Sequence, residues 1–410
     1  MINVSFKWRS RIFLFTEEKI MEYLKRTWAD ISLDNLKHNY EALRSRIPSG
    51  CRFLGVVKAD AYGHGAVPIS RYLTEMGAEY LAVSNIEEAA QLRRGGIRGP
   101  ILILGYTPPF YADELAKMGL RQEVHSLEYA QNLNERLKGT NRRIRVHIKL
   151  DTGMSRLGFF AYKCDRTVDE IKQIAAMEHL LIEGIFTHFP VADTIDGADE
   201  NFTRTQFERF MTMLDRLKAV GIEPQIRHCC NSGASILYPE YALDMIRPGI
   251  ATYGVTNDDL ADKIDLRPVM QLRSTIFQIR DFDPLITVSY GRTYTTEDPT
   301  RIAVVGIGYA DGLQRGLSNN ISFLLHGKRV RQIGRICMDM CMIDISRVPD
   351  AKVGDVVTIF GDDGDDRIMV TDFTRRLNTI PYEILCDINK RIPRIYLDGE
   401  NQTEILQYIV

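Results

Sequence analysis

The sequence is short of three things: net charge, long apolar runs and paired cysteines. Its formal net charge is −2, from 52 basic and 54 acidic residues, so it has no strong field to gather nucleic acid or an anionic membrane. Apolar stretches are too short to span a bilayer, and Met1 to Phe15 is interrupted by Lys7, Arg9 and Arg11 where an export signal needs an unbroken apolar core. The cysteines, Cys51, Cys164, Cys229, Cys230, Cys337, Cys341 and Cys386, are odd in number, scattered, and include no CxxC pair. That argues against a disulfide framework or a paired zinc-type site and for a reducing cytoplasm. Internal repeats and low-complexity segments are missing too.

What is present is ordinary in composition, with 45% hydrophobic and 26% charged residues, and informative in order. A chain of 410 residues exceeds one ordinary core and predicts two domains. Between about residues 50 and 250, eight strand-like runs alternate with helix-like stretches. The runs are Arg52 to Lys58, Tyr80 to Ser84, Ile101 to Gly105, Arg121 to Ser126, Arg143 to Leu150, Leu181 to His188, Pro224 to Cys230 and Leu243 to Arg247. Apolar residues recur every three or four positions in Ile86 to Gly95 and Thr203 to Gly221, each closed by a glycine. This is the pattern of a TIM (β/α)8 barrel. After about residue 268 short β-rich runs separated by turn residues predict a mainly antiparallel β domain. The expected division is an N-terminal extension over 1–20, dispensable for the fold, a barrel domain over 21–267 and a β domain over 268–410. A first strand at about 27–33 is a candidate to join the β domain. The acidic run Asp362 to Asp366 lacks a glutamate at the twelfth position of a calcium loop and reads as a hairpin turn, so no metal is assigned.

VVKADAYGHG, Val56 to Gly65, puts Lys58 at the carboxyl end of the first barrel strand, where barrel active sites are built. Taken alone, such a lysine would be a solvated charge. Barrel enzymes commonly seat a phosphate on the loops after strands seven and eight. Here those are HCCNSGAS (His228 to Ser235) and IRPGIATYG (Ile246 to Gly254), offering Asn231, Ser232 and the amides of Gly249 and Ile250.

With its flanks, the Lys58 motif resembles the cofactor-binding motif of the alanine racemase family, and the resemblance continues from about Thr27 to Tyr396. It implies that Lys58 carries pyridoxal 5'-phosphate covalently, with Tyr62, Asn231, Ser232, Gly249 and Ile250 on the phosphate and Arg247 on the pyridine nitrogen. A guanidinium is a fixed cation, so it keeps that nitrogen unprotonated, weakens the ring as an electron sink and disfavours transamination. Arg156, in KLDTGMSRLG, matches the arginine set against the cofactor's phenolic oxygen and the substrate carboxylate. Lys149 matches a lysine that is carbamylated in some members and then orients that arginine.

Racemisation takes a proton from one face of Cα and returns one to the other, so it needs a second acid/base. VSYGRTY resembles the family motif whose tyrosine does this from the partner subunit, here Tyr290, and GIFTHF supplies His188, the histidine implied to hydrogen-bond it. A homodimer therefore follows from the resemblance, with Tyr290 and Met338 completing the partner's site. Tyr309 in VGIGYADG and Asp339 beside Met338 in GRICMDMCM are further implied substrate contacts. In DINKRIPR, Lys390 stands where many members carry a tyrosine lining the pocket, which opens serine or another small amino acid as substrate beside alanine. The implied role is supply of D-alanine for peptidoglycan. A non-catalytic carrier of the cofactor would not need VSYG or CMDM, and a decarboxylase on the same plan generally uses an acid where Arg247 stands.

Overall fold

The computed structural model describes Tyr23 and residues 25–409. The expectation for residues 1–20 lies outside the described residues.

Eight parallel strands form the barrel: Arg52–Val56, Tyr80–Val83, Ile101–Ile103, Arg121–Val124, Ile144–Asp151, Leu180–Phe186, Ile226–His228 and Met245–Ile246. Each coincides with one of the eight runs, two of them reaching one residue beyond it, at Asp151 and Leu180. The last strand pairs with the first in register Met245↔Arg52. Backbone bonds from Asp244 N to Arg227 O (3.0 Å) and from Arg247 N to Cys230 O (2.9 Å) close the ring between strands seven and eight. The helices between them show their start signals. Asn85 caps Ile86–Arg94 by accepting from Glu88 N at 2.9 Å, a bond whose loss costs about 1 kcal/mol.

The second sheet has ten strands and is antiparallel except at one pair. Strands Met270–Phe282, Thr300–Val305, Cys341–Asp344, Lys328–Ile333, Ser322–Leu325 and Val356–Asp363 follow one another, and the last pairs back onto the first. They make a closed six-stranded barrel. The strand Thr27–Ser32 lies in this sheet, antiparallel to Met270–Phe282 and parallel to Arg394–Asp398. Its alternation puts Thr27, Ala29 and Ile31 inside, and Ser32 then caps the helix Leu33–Arg44. Asp362 and Asp363 pair with Arg367 and Asp366 across a tight hairpin with Gly364 at φ 60°.

Candidate active site

A cavity of about 450 Å³ opens at the carboxyl ends of the barrel strands, a size suited to a small ligand or cofactor. Lys58, Tyr62, Lys149, Arg156, His188, Asn231, Ser232, Arg247, Gly249 and Ile250 all line it. Four cations, Lys58, Lys149, Arg156 and Arg247, face two carboxylates, Glu123 and Asp193. The cavity is therefore built to receive an anionic group.

Lys58 ends the first strand and begins an unusual turn. Ala59, Asp60, Ala61 and Tyr62 all have left-handed backbone, with φ of 50°, 56°, 54° and 52°. Each costs about 1 kcal/mol for a residue bearing a Cβ, so the turn persists only because its surroundings hold it. Glu88 accepts from Ala59 N at 2.8 Å and from Ser84 N at 2.7 Å. Asp60 accepts from Ala66 N through Oδ1 at 2.8 Å and from Gly65 N through its carbonyl at 2.9 Å. Beyond the turn, Arg394 Nε donates to Gly63 O (2.9 Å) and Tyr396 donates to His64 O (2.7 Å). Burial, followed by the Arg156 charge, lowers the Lys58 pKa. Its amine is thus easier to deprotonate than a surface lysine.

The candidate phosphate seat is tight. Ser232 Oγ accepts from Gly249 N at 2.8 Å and Ala251 N at 3.3 Å. A Cβ on Gly249 would stand 2.5 Å from the Tyr62 hydroxyl, so only glycine lets the backbone come this close. Asn231 accepts from Ala234 N through Oδ1 and donates to Phe189 O.

Arg247 is buried at the cavity floor and held from several sides. It donates to Thr187 O (2.8 Å), Cys229 O (3.0 Å) and His228 Nδ1 (3.1 Å). Because an arginine has no acceptor, His228 must carry its proton on Nε2. That nitrogen sits 2.8 Å from His147 Nδ1, and His147 Nε2 sits 3.3 Å from Glu183. Burial, then the Arg247 charge, pushes His228 well below its usual pKa. Arg247 itself is lowered by burial to about 10 and stays charged. His188 Nδ1 is 3.3 Å from Arg247 Nη2. Burial and then Arg247 hold His188 well below its usual pKa, so its neutral ring accepts at Nδ1 and keeps a proton on Nε2.

Lys149 Nζ is buried with no hydrogen-bond partner among the described residues and lies 4.7 Å from the Phe186 ring centre. Burial and the Arg247 charge lower its pKa to about 7. One oxygen of the buried Glu123 is likewise unpartnered, while the other lies 2.8 Å from His125 Nδ1.

The remaining candidates lie in the β domain, away from this chain's own cavity. Tyr290 is 70% exposed on a shallow groove with Ser289 and Cys337. Met338 is 53% exposed and Tyr309 is exposed beside it. Their two loops are pinned by Tyr309 N to Cys337 O and Ala310 N to Met338 O, both 3.0 Å. Asp339 accepts from Arg391 at 2.8 Å.

Lys390 corrects the expectation. It does not line the cavity; its ammonium lies 5.3 Å from the ring centre of Tyr408, where a cation gains from the ring face without being buried. The β domain instead sends Ile380, Pro381 and Tyr382 to the cavity mouth, with the Tyr382 ring 5.8 Å from that of Tyr62. Tyr382, Glu123 and Asp193 escaped the sequence reading. Glu123 was within reach, because strand register sets it beside His147, and Lys149 follows two residues later on the same inward face.

Fold and site together define a barrel enzyme with a lysine held beside an anion-accepting, cation-lined cavity. The model of the alanine racemase N-terminal domain matches residues 31–257, and that of the C-terminal domain matches residues 269–396. The chain is 40% identical to alanine racemase 2 of Caldanaerobacter subterraneus subsp. tengcongensis over 392 residues, 95% of this chain and 100% of the relative. It is 41% identical to an alanine racemase of Methanococcus maripaludis over 372 residues, 90% of this chain and 98% of the relative. Among solved structures, alanine racemase of Clostridium difficile superposes with TM-score 0.90 at 38% identity, covering 96% of this chain and 100% of that one. Alanine racemase of Bacillus anthracis with bound L-Ala-P superposes with TM-score 0.88 at 32% identity, covering 95% and 99%. The chain belongs to the alanine racemase family.

Proposed function

We propose that this chain interconverts L- and D-alanine, with pyridoxal 5'-phosphate held in the barrel cavity and Lys58 working opposite Tyr290 of a second copy, and that it thereby supplies D-alanine for peptidoglycan. The observation that carries the reading is the split in the site: Lys58 sits at a cation-lined cavity while Tyr290 is turned outward on a different face. The residues present fit the cofactor, because the Gly249 and Ser232 seat, the Tyr62 hydroxyl and the cationic walls match a phosphorylated aromatic aldehyde in charge and size. When bound, the cofactor would spread the electron pair left by breaking the Cα–H bond.

Every other role falls to the protein. Arg247 has N–H groups to spare after its four contacts and would donate to the ring nitrogen without protonating it. That choice favours brief proton exchange over decarboxylation. Arg156, at the mouth, would take the substrate carboxylate. Lys58, with its pKa lowered, would move the proton on its own face. His188, with its proton on Nε2, would donate to the tyrosine oxygen and favour its ionised form. The buried Lys149 amine, with its pKa lowered to about 7, supports carbamylation, since its neutral form can add CO2 with loss of one proton and the carbamate oxygens formed would accept from Arg156 at the same cavity.

Purified protein should absorb near ~420 nm, as lysine-bound pyridoxal enzymes do. Borohydride should fix the cofactor on Lys58, and a panel of L-amino acids should show alanine racemised ahead of serine. Colourless protein that stays so after incubation with the cofactor would overturn the reading.

A further inference from the structure

The left-handed turn after Lys58 leans on residues near the end of the chain. Tyr408 donates its hydroxyl to Asp60 Oδ2, the carboxylate whose other oxygen holds Ala66 N. The Tyr408 ring is flanked by two cations, with Lys390 Nζ at 5.3 Å and Arg394 Cζ at 5.5 Å from its centre. Arg394 is fully buried and anchored on Ile388 O, Asn389 O, Ile392 O and Gly63 O. Tyr408 is therefore fixed in place by groups already committed to the same turn.

We infer that Tyr408 is a positioning residue for the reaction: through Asp60 it holds the strained turn 59–62 in the one conformation that aims Lys58 into the cavity, and Lys390 serves this clamp rather than the substrate pocket. The inference rests on the reading that Lys58 carries the cofactor. Four successive residues with Cβ atoms at φ of 50° to 56° would relax if released. Asp60 is the member whose side chain ties that turn to both the following helix and the chain's last residues. Burial, then the Asp60 charge, raises the Tyr408 pKa, so the hydroxyl stays a donor across the working range.

The test compares Tyr408→Phe and Lys390→Met with the unaltered enzyme, all as full-length holoenzyme. Tyr408→Phe keeps the ring and its two cation contacts but loses the hydrogen bond, so it should fold, with its melting temperature lowered by a few degrees at most. Amide exchange over residues 59–66 should quicken about tenfold, the size of one hydrogen bond to a charged group, with exchange in the rest of the barrel unchanged. kcat should fall by a similar factor while KM holds, and the ~420 nm band should titrate at a shifted pH because Lys58 is less fixed. Lys390→Met should give the same changes in smaller degree. A variant ending at Leu406 removes the clamp outright and should repeat the Tyr408→Phe pattern more strongly. Unchanged exchange, kcat and band titration in both Tyr408→Phe and the shortened chain would overturn the inference, with the assignment of Lys58 intact. Failure of borohydride to label Lys58 would instead remove the functional reading, and the exchange result would stand apart from it.

Discussion

The barrel cavity and the outer face of the β domain handle their chemical groups in opposite ways. In the cavity Lys149 and Arg247 are buried, and Arg247 donates to two carbonyls and to a histidine whose own partner is fixed in turn. On the β domain Tyr290, Tyr309 and Met338 stand in the open on loops held rigid from behind, with Ser289 Oγ donating to Arg335 O at 2.6 Å just before Tyr290. Exposed large side chains that cluster on rigid loops are a mark of an interaction surface. The contrast supports the proposal that one chain holds the Lys58 half of a site and displays the Tyr290 half to a second copy.

The sharpest way to break this comparison is to remove one group from each side. Lys58→Ala should abolish racemisation by at least about 10⁴-fold, and Tyr290→Phe by about 10²-fold or more. The first should lose the colour and the second keep it. Equal loss of colour in both would mean that Tyr290 supports the cavity rather than the reaction.

Much of this division was legible in the chain. The eight runs sit where the eight strands are, most plainly at Tyr80–Val83 and Ile101–Ile103, which are buried throughout and read as uninterrupted apolar stretches. Lys58 and the Gly249 loop were legible because they lie at strand ends where barrel sites are built and because their flanking motifs resemble those of the family. The left-handed turn was not, since Ala59, Asp60, Ala61 and Tyr62 carry no glycine and their conformation is imposed by Glu88 and by residues more than 300 positions away. The direction of Lys390 was equally hidden, because a flexible four-carbon stem is aimed by its surroundings and here the Tyr408 ring decides it. Tyr382 belongs to the same class: nothing in IPYEIL marks a residue that reaches back across the domains.

Smaller effects separate the two regions by pH and by substitution. His64, His147 and His228 are buried and His188 is largely so, and burial lowers all four, His64 to about 4. Since the unfolded chain binds protons from about pH 6.5 downward and these native rings do not, stability is complete above that pH. It should fall as the pH drops from about 6.5 toward about 4, by up to about 1.4 kcal/mol per unit for each ring. All four belong to the barrel domain, so denaturant melts should show barrel probes losing stability before probes in the β domain. Coincident loss, or none above pH 5, would contradict this. At the small end, Lys390→Tyr should change the serine-to-alanine ratio of kcat/KM by less than about twofold, because Lys390 faces Tyr408 and not the cavity. A larger change would return Lys390 to the substrate pocket.

The most direct measurement is to mix inactive Lys58→Ala protein with inactive Tyr290→Phe protein, dissociate, and let the chains reassemble. If each site takes Lys58 from one chain and Tyr290 from another, half the dimers are mixed and one of their two sites is intact, so activity should return to about a quarter of the unaltered enzyme's. A mixture as inactive as its two components would contradict the account and show that Lys58 and Tyr290 must come from the same chain.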